Sequence, residues 1–333
     1  MRDEMVAAVE AVVRRQHPDA EHVELMGVQR FAHGDTGEVH AVDLSWSIAG
    51  TLRVGQFVAR PSDEAQPRLL GALAEAGLPV PEVVALPAET GGILVTTRLP
   101  GGDALDALRA AGMRWELSAL AFTFARALGR IHALDWQVVA PWLADPEDTP
   151  EDLVDRQFDT RWEAWETRLA ALPPGTGDAF NRALHWLDAR RPVEVSLCLC
   201  HGDYGLTNVL IADDEVAGVI DWEDARVDDA SYDLALLPTE LAQLNLPTGD
   251  AELFAQATYG AYLQASPRTL GNLPFYAAAR LFERALDATE AAAAIAGGQP
   301  VGPRARRQAE RLPETLVELA RALAGDERVP WRA

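Results

Sequence analysis

The segment Cys200-His201-Gly202-Asp203-Tyr204-Gly205-Leu206-Thr207-Asn208-Val209-Leu210-Ile211 is where this chain can do chemistry. An apolar run from Val195 leads into it and another leaves it, so a polar loop is held between two strands. Asp203 and Asn208 are the polar side chains fixed by that spacing. A further apolar run, Val216-Ala217-Gly218-Val219-Ile220, ends on Asp221-Trp222-Glu223. A carboxylate, an amide oxygen and a second carboxylate delivered in this way suit phosphoryl transfer to a hydroxyl. That reaction needs the acceptor oriented, the phosphate charge neutralised and the line of attack held. Asp203 can take the acceptor's proton. Asn208 and Asp221 offer the hard oxygens that Mg²⁺ prefers.

Composition narrows the choice. The 333 residues contain no lysine, and every strong cation is arginine. A Walker-A loop, with its G-K-[ST] core, is therefore absent, as is any Schiff base on a protein lysine. The net charge of −22 disfavours nucleic acid and anionic membranes as partners. It leans towards a cationic substrate, although a solvated acidic surface reads the same way. No apolar run reaches bilayer-spanning length. The N-terminus lacks a basic region followed by an apolar core, so the expected location is the cytoplasm. The two cysteines, Cys198 and Cys200, lie in an apolar strand and read as small buried hydrophobes. A lone C-x-C is a poor metal site.

The elements that must position the loop follow from periodicity. Met5, Val6, Val9, Val12 and Val13 make a helical stripe over 5–16. Strands over 23–26, 38–44 and 52–59 are broken at Gly34-Asp35-Thr36-Gly37 and Ala49-Gly50, the pattern of successive antiparallel hairpins. A helix at 64–76 stops at Gly77, and short strands follow near 82–86 and 93–98. Beyond Pro100-Gly101-Gly102 the chain reads as helical: 103–111, 115–134, 151–171, 177–190, 232–243, 250–264, 274–296 and 303–324. The strand-rich island 195–221 is the exception, and 135–150 reads as a surface connection. The expected division is 1–99, a small antiparallel-sheet part, and 100–333, a larger helical part.

H-G-D-x-x-x-x-N followed by I-D-W-E resembles the aminoglycoside phosphotransferase and choline kinase-like family. Asp229 and Asp233 match that family's D-x-x-x-D-L-A. The resemblance implies an α+β, bilobal, protein-kinase-like fold with residues 1–99 as the nucleotide-binding lobe. It implies Asp203 as catalytic base, Asn208 and Asp221 as Mg²⁺ ligands, and Asp229 and Asp233 as braces. His201 is expected to orient the loop rather than shuttle protons. Gly34, Asp35, Thr36 and Gly37 stand where the family has its phosphate-covering loop, and a plain hairpin turn would look similar. Phe57-Val58-Ala59-Arg60 stands where kinases have V-A-I-K, so Arg60 replaces the phosphate-binding lysine. Glu64, or more weakly Glu75, is the candidate partner for Arg60. Thr96 and Arg98 lie in the segment resembling the interlobe linker, which reads the base of ATP or GTP. His132, in L-G-R-I-H-A-L, is expected to be structural.

The acceptor is less determined. Trp222, Tyr232, Glu223 and Glu240 are candidates near the substrate or metal. Trp162, Trp165 and Glu163 are further candidates, the two tryptophans reading better as helix core. Aromatic and acidic walls suit an amine-bearing metabolite. Residues 224–229, Asp-Ala-Arg-Val-Asp-Asp, resemble the macrolide phosphotransferase version of the motif, so an aminoglycoside or macrolide antibiotic is a second class. The alternative reading is a non-catalytic, nucleotide-binding regulatory protein, motivated by Arg60. A metal phosphoesterase would need several histidines in ligand spacing, and only His201-x-Asp203 offers any.

Overall fold

A computed structural model describes residues 2–31, 39–145, 147–173 and 177–325. The glycine-bearing loop at Gly34–Gly37 lies outside the described residues. The chain divides into two compact units, Met1–Asp103 with Thr207–Glu223, and Ala104–Leu206 with Asp224–Ala333. The strands in chain order are β1 (Glu21–Arg30), β2 (His40–Ile48), β3 (Thr51–Pro61), β4 (Val83–Ala85), β5 (Ile93–Thr97) and β6 (Gly102–Asp103), then β7 (Leu197–Cys200), β8 (Val209–Ala212), β9 (Glu215–Val219) and β10 (Arg226–Asp229).

In the first unit, β1 to β5 form an antiparallel sheet in the order β1-β2-β3-β5-β4. The helix Arg2–Gln16 lies against it, with Met5, Val9, Val12 and Val13 meeting Val42, Leu44, Trp46, Phe57, Ala59 and Val95. Full burial of a side chain such as Met5, Val9 or Leu44 contributes about 1.5–3 kcal/mol relative to exposure. The β2–β3 turn, Ala49-Gly50, has both residues at positive φ (49° and 79°), as a two-residue hairpin of matching twist requires. A second sheet, β6-β8-β9, belongs to the same unit, and its β8–β9 turn, Asp213-Asp214, repeats that geometry. The expected boundary after residue 99 puts 207–223 in the later part. The segment joins the first unit because Val219 N–H donates to Pro79 O (2.8 Å), and β8 pairs with β6.

The second unit is mainly helical. Helices Arg114–His132 and Asp250–Ala265 pack together around Phe124, Phe254 and Tyr204. Trp162 and Trp165 pack with each other in helix Pro150–Ala171, and Trp165 meets Phe282 of helix Leu273–Ala296, so both are core. The helix expected over 232–243 is broken into Ser231–Leu234 and Leu237–Ala242. Pro238 is the cause: its ring opposes the carbonyl four residues back, that of Leu234. That carbonyl accepts instead from Tyr259 Oη at 3.4 Å. Pro313 similarly follows the break in the helix expected over 303–324, now Pro303–Glu310 and Leu312–Ala324. β10 was not expected as a strand. It pairs antiparallel with β7, Arg226 opposite Cys200 and Asp229 opposite Leu197. Among the described residues, no helix is long and apolar enough to cross a membrane.

Candidate active site

The loop 201–206 in the second unit is held by one buried carboxylate. Asp233 accepts from the backbone N–H of His201 and of Gly202, each at 2.8 Å, and from His132 Nε2 at 3.0 Å. His132 Nδ1 lies 2.6 Å from Tyr262 Oη. Burial alone would raise the Asp233 pKa, but the His132 hydrogen bond and charge outweigh it and the group sits below its ordinary value. Burial likewise opposes a charge on His132, and the bond to Asp233 overrides it, so His132 sits well above its ordinary value. The result is a buried charge-assisted pair. Gly202 has φ +91°, and a Cβ there would run into the Asp224 carbonyl, which explains glycine in H-G-D. His201 is fully buried, and its Nδ1 accepts from Asp203 N–H at 3.2 Å, so the ring orients the residue that follows it. Asp203 is half-buried, within reach of a ligand.

Two further aspartates brace this unit. Asp229 accepts from Ser196 N, Ser231 N and Asn272 Nδ2 at 2.8–2.9 Å. Asp228 accepts from Tyr276 Oη (2.7 Å), Asp229 N (2.8 Å) and Arg161 (2.6 Å). Cys198 and Cys200 are buried free thiols, 3.7 Å apart. His132 joins them with ligand atoms within 4.8 Å. Both its ring nitrogens are already engaged, so the trio is packed core.

In the first unit, Asn208 is buried and its main-chain carbonyl accepts from Ile220 N–H at 2.9 Å, which sets the residue across the β8–β9 ladder from the one before Asp221. Two hard oxygen donors thus share one end of a hairpin, a donor set that fits Mg²⁺. Asp221 adopts φ +69°, a conformation costing a non-glycine residue roughly 1–2 kcal/mol. Arg60 near the end of β3 donates to Glu223 at 2.9 Å and lies 3.5 Å from Asp221. Its partner is therefore Glu223, not Glu64, whose carboxylate accepts from Ala88 N–H at 3.0 Å, nor Glu75, exposed at its helix end. Trp222 is buried, with Nε1 donating to Val219 O at 3.0 Å, so it is a core residue rather than a wall for a substrate. Thr96 sits in the sheet between Val58 and Val83, and the N–H groups of Thr97 and Arg98 donate to Glu82 O and Gln56 O. The Arg98 side chain pairs with Asp43 at 3.7 Å.

The remaining candidates disperse within the second unit. Glu240 is neutralised by Arg284 at 2.9 Å. Tyr232 is buried, and arginines stack on its ring. Glu163 lines an open groove of about 620 Å³ with Asp145, Asp148, Asp152, Asp155 and Asp159. Sequence reasoning missed Arg161, Tyr262, Asn272 and Tyr276, because their partners are 43–130 residues away and no local pattern marks them.

A model of the phosphotransferase enzyme family, APH, matches residues 52–276. The mouse (Mus musculus) protein acyl-CoA dehydrogenase family member 10 is 27% identical over 220 residues, 63% of this chain and 20% of that protein. The chain spans a quarter or less of the length of the curated relatives it matches. Among solved structures, a Ralstonia eutropha JMP134 protein assigned to the aminoglycoside phosphotransferases superposes with TM-score 0.71 at 20% identity, over 96% of this chain and 98% of that one. A thermostable mutant of aminoglycoside phosphotransferase APH(4)-Ia, in ternary complex with ADP and hygromycin B, gives TM-score 0.61 at 16% identity, over 96% and 99%. At such identities the superpositions speak for the fold, an α+β kinase-like one. The family match spans the sheet from β3 onwards, the loop bearing Asp203 and Asn208, and the Asp221 hairpin, and on that ground the chain belongs to the phosphotransferase enzyme family.

Proposed function

We propose that this chain transfers the γ-phosphoryl group of ATP or GTP to a hydroxyl of a small molecule. The acceptor oxygen forms the new bond to phosphorus, the bond to the bridging oxygen breaks, a nucleoside diphosphate leaves, and Asp203 takes the hydroxyl proton. The observation that carries this reading is Arg60 engaging Asp221 and Glu223 within one unit. A cation able to grip phosphate oxygens in a fork stands beside a carboxylate able to hold a divalent ion. Asn208 and Asp221 would hold Mg²⁺, which when bound would neutralise charge on the phosphates. The ADP in the APH(4)-Ia complex supports a nucleotide donor.

The test is Mg²⁺-dependent consumption of ATP and GTP against hydroxylated acceptors: aminoglycosides, macrolides, choline, sugars and hydroxy acids. Turnover with one acceptor supports the reading. Mg²⁺-dependent nucleotide binding with no turnover on any acceptor points to the regulatory alternative.

Asp221→Asn separates metal binding from folding. The left-handed backbone suits Asn as well as Asp, and the Arg60 pair is partly solvated and worth little. The thermal midpoint should therefore stay within a degree or two. Nucleotide affinity in Mg²⁺ should fall at least tenfold, to the value measured in a chelator. A variant that binds as tightly as the wild type removes Asp221 from the site.

A further inference from the structure

Two guanidinium groups outside the machinery above gather beside the loop that carries Asp203, and both are in its own unit. Arg226 is the ladder partner of Cys200, the last residue before that loop. Arg280 comes from helix Leu273–Ala296. Both stack on the ring of Tyr232, with Cζ 4.8 Å and 4.3 Å from its centroid. Tyr232 precedes Asp233, the carboxylate that fixes His201 and Gly202. A third guanidinium, Arg161, lies 5.7 Å from the same ring, but Asp228 at 2.6 Å and Glu283 at 3.7 Å neutralise it.

Arg226 and Arg280 are differently placed. Among the described residues, neither forms an ion pair with a carboxylate. Arg226 Nε donates to Asp224 O at 3.2 Å, and Arg280 Nη1 to Tyr232 O at 3.3 Å. A guanidinium carries five N–H donors in a rigid fork, so each keeps donors for a ligand. Burial opposes the Arg280 charge, and the fields of Tyr232, Glu283, Asp203 and Asp233 more than offset it, which keeps it protonated within electrostatic reach of Asp203. Stacking on a ring that is itself buried pre-organises both forks, so little entropy is lost when an oxyanion docks. Forked donors of this kind match carboxylate and phosphate oxygens.

We propose that Arg226 and Arg280 form an anion subsite for the acceptor, so that the acceptor is a hydroxyl compound bearing a carboxylate or phosphate group and not a polycation. This rests on the phosphotransferase reading of Asp203. It departs from the amine-bearing acceptor suggested by net charge and by the aromatic and acidic candidates, because Arg226 and Arg280 meet at the Tyr232 ring with donors to spare.

The experiment is calorimetric binding to the full chain, without turnover, of four probes: 4-hydroxybutyrate, its uncharged amide, glycerol 3-phosphate and hygromycin B. The expected result is that one of the two anions binds. If it is the carboxylate, the amide binds at least tenfold more weakly. Arg226→Gln and Arg280→Gln each weaken the anion at least tenfold, as loss of charge-assisted hydrogen bonds implies. Arg226→Gln is the safer variant, since its bond to the Asp224 carbonyl is exposed whereas that of Arg280 to the Tyr232 carbonyl is partly buried, and thermal melts check that each folds. The proposal is overturned if neither anion binds, if acid and amide bind equally, or if the folded variants bind the anion like the wild type. The two readings fail separately. Phosphorylation of hygromycin B alone would end the anion subsite and leave the phosphotransferase standing. Anion binding lost in the variants, with no nucleotide consumed on any acceptor, would do the reverse.

Discussion

Asp203→Ala is expected to lower turnover by roughly 10²–10⁴-fold, the contribution of a positioned general base. Phosphoryl transfer leaves little covalent work to the protein, so the loss falls on kcat more than on KM. The fold should survive. The loop is anchored by Asp233 through the N–H groups of His201 and Gly202, and by Tyr204 Oη donating to Phe124 O at 2.7 Å. The Asp203 N–H that binds His201 Nδ1 belongs to the main chain and remains. Nucleotide affinity should therefore persist while turnover collapses. Asp203→Asn keeps the shape and removes the basicity, so it should lose nearly as much. Wild-type turnover in both variants would show that another group takes the proton.

What was legible in the sequence is what is local along it. The five-residue interval between Asp203 and Asn208, and the apolar run ending on Asp221, are properties of short segments, and strand and loop periodicity exposes them. The β2–β3 turn was legible as a break because Gly50 interrupts the strand pattern, whereas the positive φ of Ala49 is set by the hairpin and not announced by its residue type. Three features were not legible. The Arg60–Glu223 pair spans 163 residues, and helical proximity suggested Glu64 instead. β10 contains Asp228 and Asp229, which strand propensity disfavours. They are tolerated because Tyr276, Arg161, Ser196 and Asn272 satisfy them, and those partners are defined only by the tertiary fold. Trp222 sits between two acidic residues and reads as a site aromatic, yet it turns inward to Val219. The same limit governed the acceptor. Net charge sums the whole surface, whereas Arg226 and Arg280 are brought to one ring only by the tertiary fold.

The largest effect on stability is expected at Asp233. Asp233→Asn removes one partner of a fully buried ion pair and weakens two charge-assisted bonds to the loop. Breaking such a pair costs about 3–5 kcal/mol, because the charge left on His132 is uncompensated. Stability against pH should show both halves of the pair. Asp233 has a folded pKa below its ordinary value of 3.8, so its contribution is present above that value and lost as pH falls through the lowered one. His132 has a folded pKa well above 6.5, so its contribution is full below 6.5 and lost as pH rises through the raised one. The denaturation midpoint of the wild type should therefore be highest between about pH 4 and 6.5 and decline on both sides. His132→Gln should flatten the alkaline limb, since the titrating group is gone, and Asp233→Asn should flatten both. Chemical denaturation of the three proteins across that range is the measurement. An alkaline limb that persists unchanged in His132→Gln would assign it to another group, and a wild-type midpoint in Asp233→Asn would mean that the loop is held by its other anchors, Tyr204 above all.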